Sequence, residues 1–198
     1  MSTADSGKWD RQFAGALAPG RAATVLRENL HLLPDSGNAL EIACGLGANS
    51  LLLARCGLQV EAWDYSAVAL AKLREFCRVE RLSVGTRQID VEQPFAWPRR
   101  YQVIVVTRYL HRDLCPHIVQ GLEPGGLVFY QTFNRTKRDR VGPSNASYLL
   151  ETNELLRLFA GLELVFYRED GRAGDMAQGE RDCSLFIGKK PELSPATQ

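Results

Sequence analysis

The chain has 198 residues, of which 45% are hydrophobic and 24% are charged, and its formal net charge is +1. These values are typical of a single globular domain and lack the strong basic excess of a general nucleic-acid-binding protein. Residues 1–15 contain no apolar core of the kind found in secretory signals, and no apolar run reaches the ~20 residues that cross a membrane. We therefore expect a cytoplasmic protein that associates with neither nucleic acid nor membrane.

Cysteine and histidine are scattered along the chain, without a CxxC pair or an HExxH pattern. An odd number of cysteines without paired spacing is typical of reduced thiols, not of a disulfide framework. The same scatter predicts no metal site. No motif specifies the oligomeric state, so a monomer and a homodimer both stay open.

Strand-like and helix-like segments alternate between short turns rich in Gly, Pro and Asp, and this pattern predicts an α/β fold with helices covering a mostly parallel sheet. Residues 8–190 are predicted to form one domain, and residues 1–7 and 191–198 are predicted to be disordered tails. Helices are predicted at 21–33, 49–56, 66–79, 113–122 and 152–159. Strands are predicted at 38–43, 59–63, 86–89, 101–106, 127–133, 162–167 and 183–187.

The turn after the first predicted strand carries the strongest chemical signal, because Gly45 and Gly47 stand between that strand and a helix. Glycine there lets a ligand approach the backbone, and the following helix offers unpaired N–H groups. Asp64 ends the next strand, where a carboxylate can accept both hydroxyls of a ribose. The pattern predicts a cofactor that contains a nucleoside. Ser50 stands where a dinucleotide fingerprint needs its third glycine, which disfavours an NAD(P)-dependent oxidoreductase.

The run Glu-Ile-Ala-Cys-Gly-Leu-Gly-Ala-Asn-Ser at 41–50 resembles motif I of class I S-adenosylmethionine-dependent methyltransferases, in the form found in the tellurite-resistance and thiopurine methyltransferase-like group. The segments Trp63-Asp-Tyr-Ser-Ala-Val-Ala-Leu and Leu122-Glu-Pro-Gly-Gly-Leu agree with it, and the resemblance covers residues 8–188. It implies a Rossmann-like doubly wound sheet of seven strands, mostly parallel with the last strand antiparallel. Ala43 departs from a frequent glycine of the family.

The resemblance implies transfer of a methyl group from S-adenosylmethionine to a small-molecule acceptor, with release of S-adenosylhomocysteine. The glycine turn would surround the methionine part of the cofactor, Asp64 would bind the ribose, and Asp90 would meet the adenine amino group. The complete set of predicted cofactor-binding residues is Trp9, Glu41, Gly45, Gly47, Asp64, Tyr65, Ile89, Asp90, Val91 and Thr107. For Trp9 and the nearby Phe13, a cover over the cofactor and a simple packing role both stay open. A non-catalytic protein that binds S-adenosylmethionine is a further alternative.

The acceptor side is predicted in the segment Thr107-Arg-Tyr-Leu-His-Arg, which follows the fourth strand. It lacks the Asn/Asp-Pro-Pro-aromatic motif of exocyclic-amine methyltransferases and the Pro-Cys motif of cytosine-C5 enzymes. We predict catalytic or acceptor-binding roles for Tyr109, His111 and Arg112. His111 could act as a general base, or it could be a capping or packing residue.

Four basic residues follow the fifth strand within 134–140, and they could attract an anionic acceptor or simply form a solvated surface loop. A soft nucleophile containing sulfur, selenium or tellurium would need no base. The His/Arg-bearing extension of the tellurite-resistance enzymes looks shortened here, with Arg172 and Arg181 as its possible counterparts.

Overall fold

The computed structural model describes residues 3–137 and 141–192. Its seven strands are β1 Asn38–Ile42, β2 Gln59–Asp64, β3 Val84–Gln88, β4 Tyr101–Thr107, β5 Leu122–Phe133, β6 Glu163–Arg168 and β7 Cys183–Lys189. The helices are α1 Thr3–Ala14, α2 Thr24–Arg27, α3 Ala48–Arg55, α4 Ala67–Glu80, α5 Leu114–Gly121 and α6 Glu154–Leu158.

The strands form one sheet in the order β3-β2-β1-β4-β5-β7-β6. β7 pairs antiparallel with both β5 and β6, whereas the other pairs are parallel. The predicted fold class is therefore confirmed. The strand order reverses between β1 and β4, so the connections that leave these two strands diverge and open a crevice at the carboxyl edge of the sheet.

Both faces of the sheet are covered by apolar cores, as the pleat of β4 illustrates. Ile104 and Val106 belong to the core on one face, whereas Val103 and Val105 belong to the core on the other. All four side chains are fully buried. A strand buried on both faces is a nearly continuous apolar run, which is why β4 was recognisable from its sequence.

The predicted helix 21–33 is wrong in extent, because the structure has only α2 and a separate 3₁₀ turn at Leu30–Leu32. Asn29 explains the break. Its side-chain amide donates to the Val25 carbonyl at 3.0 Å, and its backbone leaves helical geometry at φ −126°. Asparagine competes for backbone groups in this way and ends helices.

The predicted N-terminal tail also needs correction, because α1 begins at Thr3 and makes residues 3–7 helical. The later turns of α1 dock against α4, and extending a formed helix by a few residues costs little. At the other end, residues 191–192 have no regular secondary structure, and the predicted tail at 193–198 lies outside the described residues. Among the residues that the structure describes, no helix is long and apolar enough to cross a membrane.

Candidate cofactor and acceptor site

The turn between β1 and α3 follows an unusual backbone path. Ala43, Gly45 and Gly47 have φ values of 53°, 52° and 77°. A Cβ atom built on Gly47 would lie 2.4 Å from Leu73 Cδ1, so glycine is required there for α4 to pack against the turn. Ala43 adopts the same left-handed region at a cost of roughly 1–2 kcal/mol. Strain of this kind is retained where the surrounding structure holds it, commonly at functional sites.

Glu41 is a buried carboxyl group, 1% exposed, beneath this turn. Its oxygens accept hydrogen bonds from Asn49 Nδ2 at 2.7 Å, from the Ser50 backbone at 2.8 Å and from Ser50 Oγ at 2.5 Å. Burial raises the pKa of Glu41 to about 7, although these hydrogen bonds oppose the shift. Glu41 therefore fixes the first turn of α3, and its role toward a cofactor would be to hold that turn in place.

Asn49 was quoted within the motif but was not predicted as a site residue, and it connects three elements. Its Nδ2 donates to Glu41 and, at 3.0 Å, to Thr107 Oγ1 at the end of β4. Its Oδ1 accepts from the Ala23 backbone at 2.8 Å, just before α2. The Asn-Ser pair after the second glycine was the sequence signal for this residue.

Asp64 joins the end of β2 to the glycine turn. One carboxylate oxygen accepts from the Gly45 backbone at 2.7 Å, and the other accepts from the Ser66 backbone at 2.8 Å. Burial raises the pKa of Asp64, and the backbone donors oppose that shift. An ionised carboxylate offers about four acceptor positions, so acceptor capacity for a hydroxyl donor remains beyond these backbone groups.

The other predicted cofactor residues lie around the end of β3. The Ile89 backbone donates to the Asp64 carbonyl at 3.0 Å, and Ile89 and Val91 are half-buried against the core. Asp90 Oδ1 accepts from the Glu92 backbone at 3.0 Å, which shapes the loop that follows. The Tyr65 carbonyl accepts from the Gln88 side chain at 3.2 Å. These residues share one edge of the sheet with the glycine turn.

Tyr109 lies next to the residues that follow β3. Its hydroxyl donates to Glu92 Oε1 at 3.2 Å, and its ring packs against the core cluster that Ile89 and Val91 also contact. Burial and the neighbouring Glu92 raise the pKa of Tyr109 well above its ordinary value. Its contacts thus join the segment after β4 to the loop after β3, which carries the residues predicted to contact adenine. The sequence had instead suggested that Tyr109 belongs to the acceptor side.

The other two predicted catalytic residues have different surroundings. Arg112 donates to the Glu154 carboxylate at 2.6 and 3.0 Å and to the carbonyls of Ser147 and Leu149 at 2.6 and 3.1 Å. Most of its donors are therefore used to hold the segment before α6. His111 is half-buried, and its carbonyl accepts from the Leu114 backbone at 3.1 Å.

The N-terminal helix lies over the glycine turn. Trp9 and Phe13 stack with ring centroids 6.0 Å apart, and a Cβ atom built on Gly45 would lie 3.3 Å from Phe13 Cζ. Asp10 accepts a hydrogen bond from Ser66 Oγ, and Lys72 Nζ donates to the carbonyl of residue 16 at 2.6 Å. α1 therefore packs on the domain beside the glycine turn, and both predicted roles of Trp9 and Phe13 stay open.

Several basic residues suggested for the acceptor side are already paired. Arg135 forms an ion pair with Glu151 at 3.1 Å, and Lys137 Nζ donates to backbone carbonyls at 2.8 and 2.6 Å. Arg181 is 8% exposed and donates to backbone carbonyls between residues 170 and 178. The remaining basic residues of 134–140, at positions 138 and 140, lie outside the described residues.

No group of three or more His, Cys, Asp and Glu side chains within 3–137 and 141–192 could hold a metal ion. The five cysteines all lie in the described ranges, and each is a free thiol. The carboxyl edge of β1, β2 and β4 itself carries the Glu41 and Asp64 carboxylates, the backbone donors of the glycine turn and Thr107.

The strand order and the antiparallel β7 define the Rossmann-like fold of the class I S-adenosylmethionine-dependent methyltransferases. Within that class, the family model described as tellurite resistance protein TehB matches residues 25–184, and the chain belongs to this family. The crystal structure of TehB from Haemophilus influenzae has a similar fold, with a TM-score of 0.68 and 21% identity over 92% of this chain and 67% of that one.

Two curated relatives agree with this assignment over part of their length. A probable S-adenosyl-L-methionine-dependent methyltransferase TehB from Haemophilus influenzae is 28% identical over 66% of this chain. A ubiquinone biosynthesis O-methyltransferase from Methylococcus capsulatus is 29% identical over 67% of this chain. The chain spans 48% and 61% of the length of these two relatives, respectively.

Proposed function

We propose that the protein transfers a methyl group from S-adenosylmethionine to a small-molecule acceptor. The observation that carries the proposal is the arrangement at the carboxyl edge, where Asp64 accepts from the Gly45 backbone at 2.7 Å beside the end of β1. Membership of the TehB family and the names of the two relatives support it. We also retain the predictions of a cytoplasmic location, of no nucleic-acid or membrane partner, and of a monomer or homodimer.

The residues present fit this cofactor. Gly45 leaves a gap between the turn and α1 that a side chain would fill, since its Cβ would approach Phe13 to 3.3 Å. Asp64 retains acceptor capacity for ribose hydroxyls, and Ile89 and Val91 offer half-buried apolar surface to an adenine ring. When bound, the cofactor supplies an electrophilic methyl group on a positively charged sulfur.

The protein's own contribution to the reaction would be positioning. The acceptor atom forms a bond to the methyl carbon while the carbon–sulfur bond breaks, the sulfur keeps the electron pair, and any proton on the acceptor passes to water. Holding two reactants in line can supply roughly 7–11 kcal/mol of the barrier reduction. Thr107 and the turn after β1 are held together through Asn49, which gives this edge the necessary rigidity.

The arrangement around Ser50 argues against a dinucleotide oxidoreductase. Ser50 is fully buried and donates through both its backbone and its hydroxyl to Glu41. A dinucleotide site needs glycine there so that helix and strand can approach closely. A non-catalytic protein that binds S-adenosylmethionine would share this site with a methyltransferase but would show no turnover. An activity assay separates these two alternatives.

The proposal is tested by titration with S-adenosylhomocysteine and with NADH, followed by a turnover screen. We expect S-adenosylhomocysteine to raise the melting temperature by a few degrees, because ligand at about 100 times its Kd adds roughly 2.7 kcal/mol. Turnover with thiols, selenite, tellurite and small carboxylates is followed through release of S-adenosylhomocysteine. Binding of NADH alone would refute the proposal, and binding without any turnover would favour the non-catalytic alternative.

A further inference from the structure

Arg108 combines a left-handed backbone conformation with an exposed side chain. It follows β4 directly, and its backbone has a φ of 56°, in the left-handed region that glycine favours. Its N–H donates to the Gln131 carbonyl of β5 at 2.8 Å, so the conformation is fixed by the sheet. An arginine kept in a strained conformation beside a candidate site points to a role for its side chain.

The Arg108 side chain is exposed and, within the ranges that the structure describes, makes no hydrogen bond or ion pair. The neighbouring cations differ, since Arg112 is bound to Glu154 and Arg135 to Glu151. Arg181 is likewise saturated by backbone carbonyls. A guanidinium with all its donors available is suited to a ligand from solution.

The position of Arg108 relates it to the acceptor side. Thr107, the preceding residue, contacts Asn49 beside the glycine turn at 3.0 Å. Burial raises the pKa of the Cys183 thiol, and the positive charge of Arg108 opposes that rise. Cys183 begins β7 next to the end of β5. Arg108 therefore lies between the ends of β4 and β5 and the start of β7, away from β2 and β3, where the predicted ribose and adenine contacts lie.

We propose that Arg108 binds a carboxylate of the methyl acceptor, so that the enzyme prefers anionic small molecules. The inference rests on the proposed methyl transfer and names its substrate class. A planar guanidinium matches a carboxylate through two parallel hydrogen bonds, which gives both affinity and orientation. Net protein charge is close to zero, so this preference would come from one placed cation and not from a general basic field.

Arg108→Gly tests the proposal because it removes the guanidinium and relieves the backbone strain at once. Arg81→Gly is the matched control: Arg81 is an exposed arginine with the same φ of 56°, at the end of α4 on the opposite edge of the sheet. Both variants should fold, with melting temperatures unchanged or raised by about 1–3 °C. Arg108→Lys keeps the charge but not the paired donors, and it should have an intermediate effect.

The probes are matched acceptors that differ only in charge: mercaptoacetate against mercaptoacetamide, and 3,4-dihydroxybenzoate against 3,4-dihydroxybenzamide. The wild-type protein should prefer the acids, and Arg108→Gly should lower kcat/KM for an acid about 10- to 100-fold while changing its amide by less than about twofold. Binding of the acids to the protein saturated with S-adenosylhomocysteine, followed by NMR, should show the same loss. Arg81→Gly should behave as wild type in every assay.

Equal losses for acid and amide would overturn the proposal, as would a wild-type protein that binds none of the acids. A loss of S-adenosylhomocysteine affinity in Arg108→Gly would also overturn it, because Arg108 would then belong to the cofactor side. Failure of the proposed function gives a different result, in which the wild-type protein itself does not bind S-adenosylhomocysteine.

Discussion

At the scale of single residues, Asp64 is the carboxylate on which the proposed cofactor site depends most. Its two oxygens accept from the Gly45 and Ser66 backbones at 2.7 and 2.8 Å, so it closes the glycine turn against the start of α4. The same oxygens are the predicted acceptors for ribose. Removing the whole side chain would therefore disturb the turn as well as the ligand contact, and a milder substitution separates the two effects.

Asp64→Asn should weaken S-adenosylhomocysteine binding by about 1.5–3 kcal/mol, because the ribose hydroxyls lose a charged acceptor. Asparagine keeps an acceptor for only one of the two backbone donors, so the melting temperature should fall, but by less than in Asp64→Ala, which removes both acceptors. Calorimetry and thermal unfolding measure the two effects. Asp113→Asn, on an exposed residue before α5, is the control, and unchanged affinity in Asp64→Asn would reduce Asp64 to a structural cap.

At the scale of elements, α1 is docked over the glycine turn partly through Asp10. Asp10 accepts from Ser66 Oγ and, at 3.4 Å, from the Val68 backbone at the start of α4. Ser66 also caps α4 by accepting from the Ala69 backbone at 3.1 Å. A terminal element that docks on the surface of the sheet domain opens more easily than the core, which suits a cover that must admit a ligand.

Asp10→Ala should loosen α1 without unfolding the domain, because the contact between Ser66 and Ala69 that caps α4 remains. Hydrogen exchange should become faster in residues 8–14, and S-adenosylhomocysteine affinity should fall several-fold. Arg11→Ala, which changes an exposed residue of the same helix, should alter neither quantity. Faster exchange with unchanged affinity would mean that α1 packs on the domain without covering the cofactor.

Arg112 also acts between elements, because it joins the segment after β4 to the segment before α6 through Glu154. The side chains of this pair are 34% and 10% exposed. Arg112→Met should therefore destabilise the protein by about 1–3 kcal/mol, with a coupling to Glu154→Gln in a double-mutant cycle measured by denaturant unfolding. Arg157→Ala, in an exposed pair, should cost less than about 0.5 kcal/mol. Unchanged stability with lost turnover would instead support the catalytic role predicted from the sequence.

At the scale of the whole molecule, Glu41 makes stability depend on pH. Its pKa is about 7 in the folded protein against an ordinary value of 4.5, because burial disfavours the charged form. The folded state holds this proton more tightly than the unfolded state does. The stabilisation is therefore fully present below the unfolded pKa and is lost as the pH rises through the folded pKa.

Glu41→Gln removes this titration, so it provides the comparison. As the pH rises from about 5 to about 8, the wild type should lose unfolding free energy relative to Glu41→Gln. The relative loss should be on the order of 3 kcal/mol. Urea unfolding at four pH values measures the shift. A constant difference across this range would show that Glu41 is ionised throughout and that its hydrogen bonds outweigh its burial.

The sequence predicted the elements whose signal is local. Six of the predicted strands lie within two residues of their observed limits, whereas β5 begins five residues earlier than predicted, at Leu122. Ser66 caps α4, as expected of a serine directly before an apolar periodic segment. The helix at 21–33 was misjudged because Asn29 and Asn49 compete for its backbone groups. The Asn29 contact is local, but the Asn49 contact comes from a residue 26 positions away and leaves no trace in the helical periodicity.

By itself, the sequence determined the class of fold, the glycine turn and the carboxylate at the end of β2, because hydrophobic periodicity and turn residues act over short distances along the chain. Only the tertiary structure decided the partners of the residues after β4. Tyr109 bonds to Glu92, 17 positions away, and Arg112 bonds to Glu154, 42 positions away. Contacts at such separations are set by how strands and helices pack together, and this is why the partners of Tyr109 and Arg112 and the exposure of Arg108 could not be predicted from the sequence.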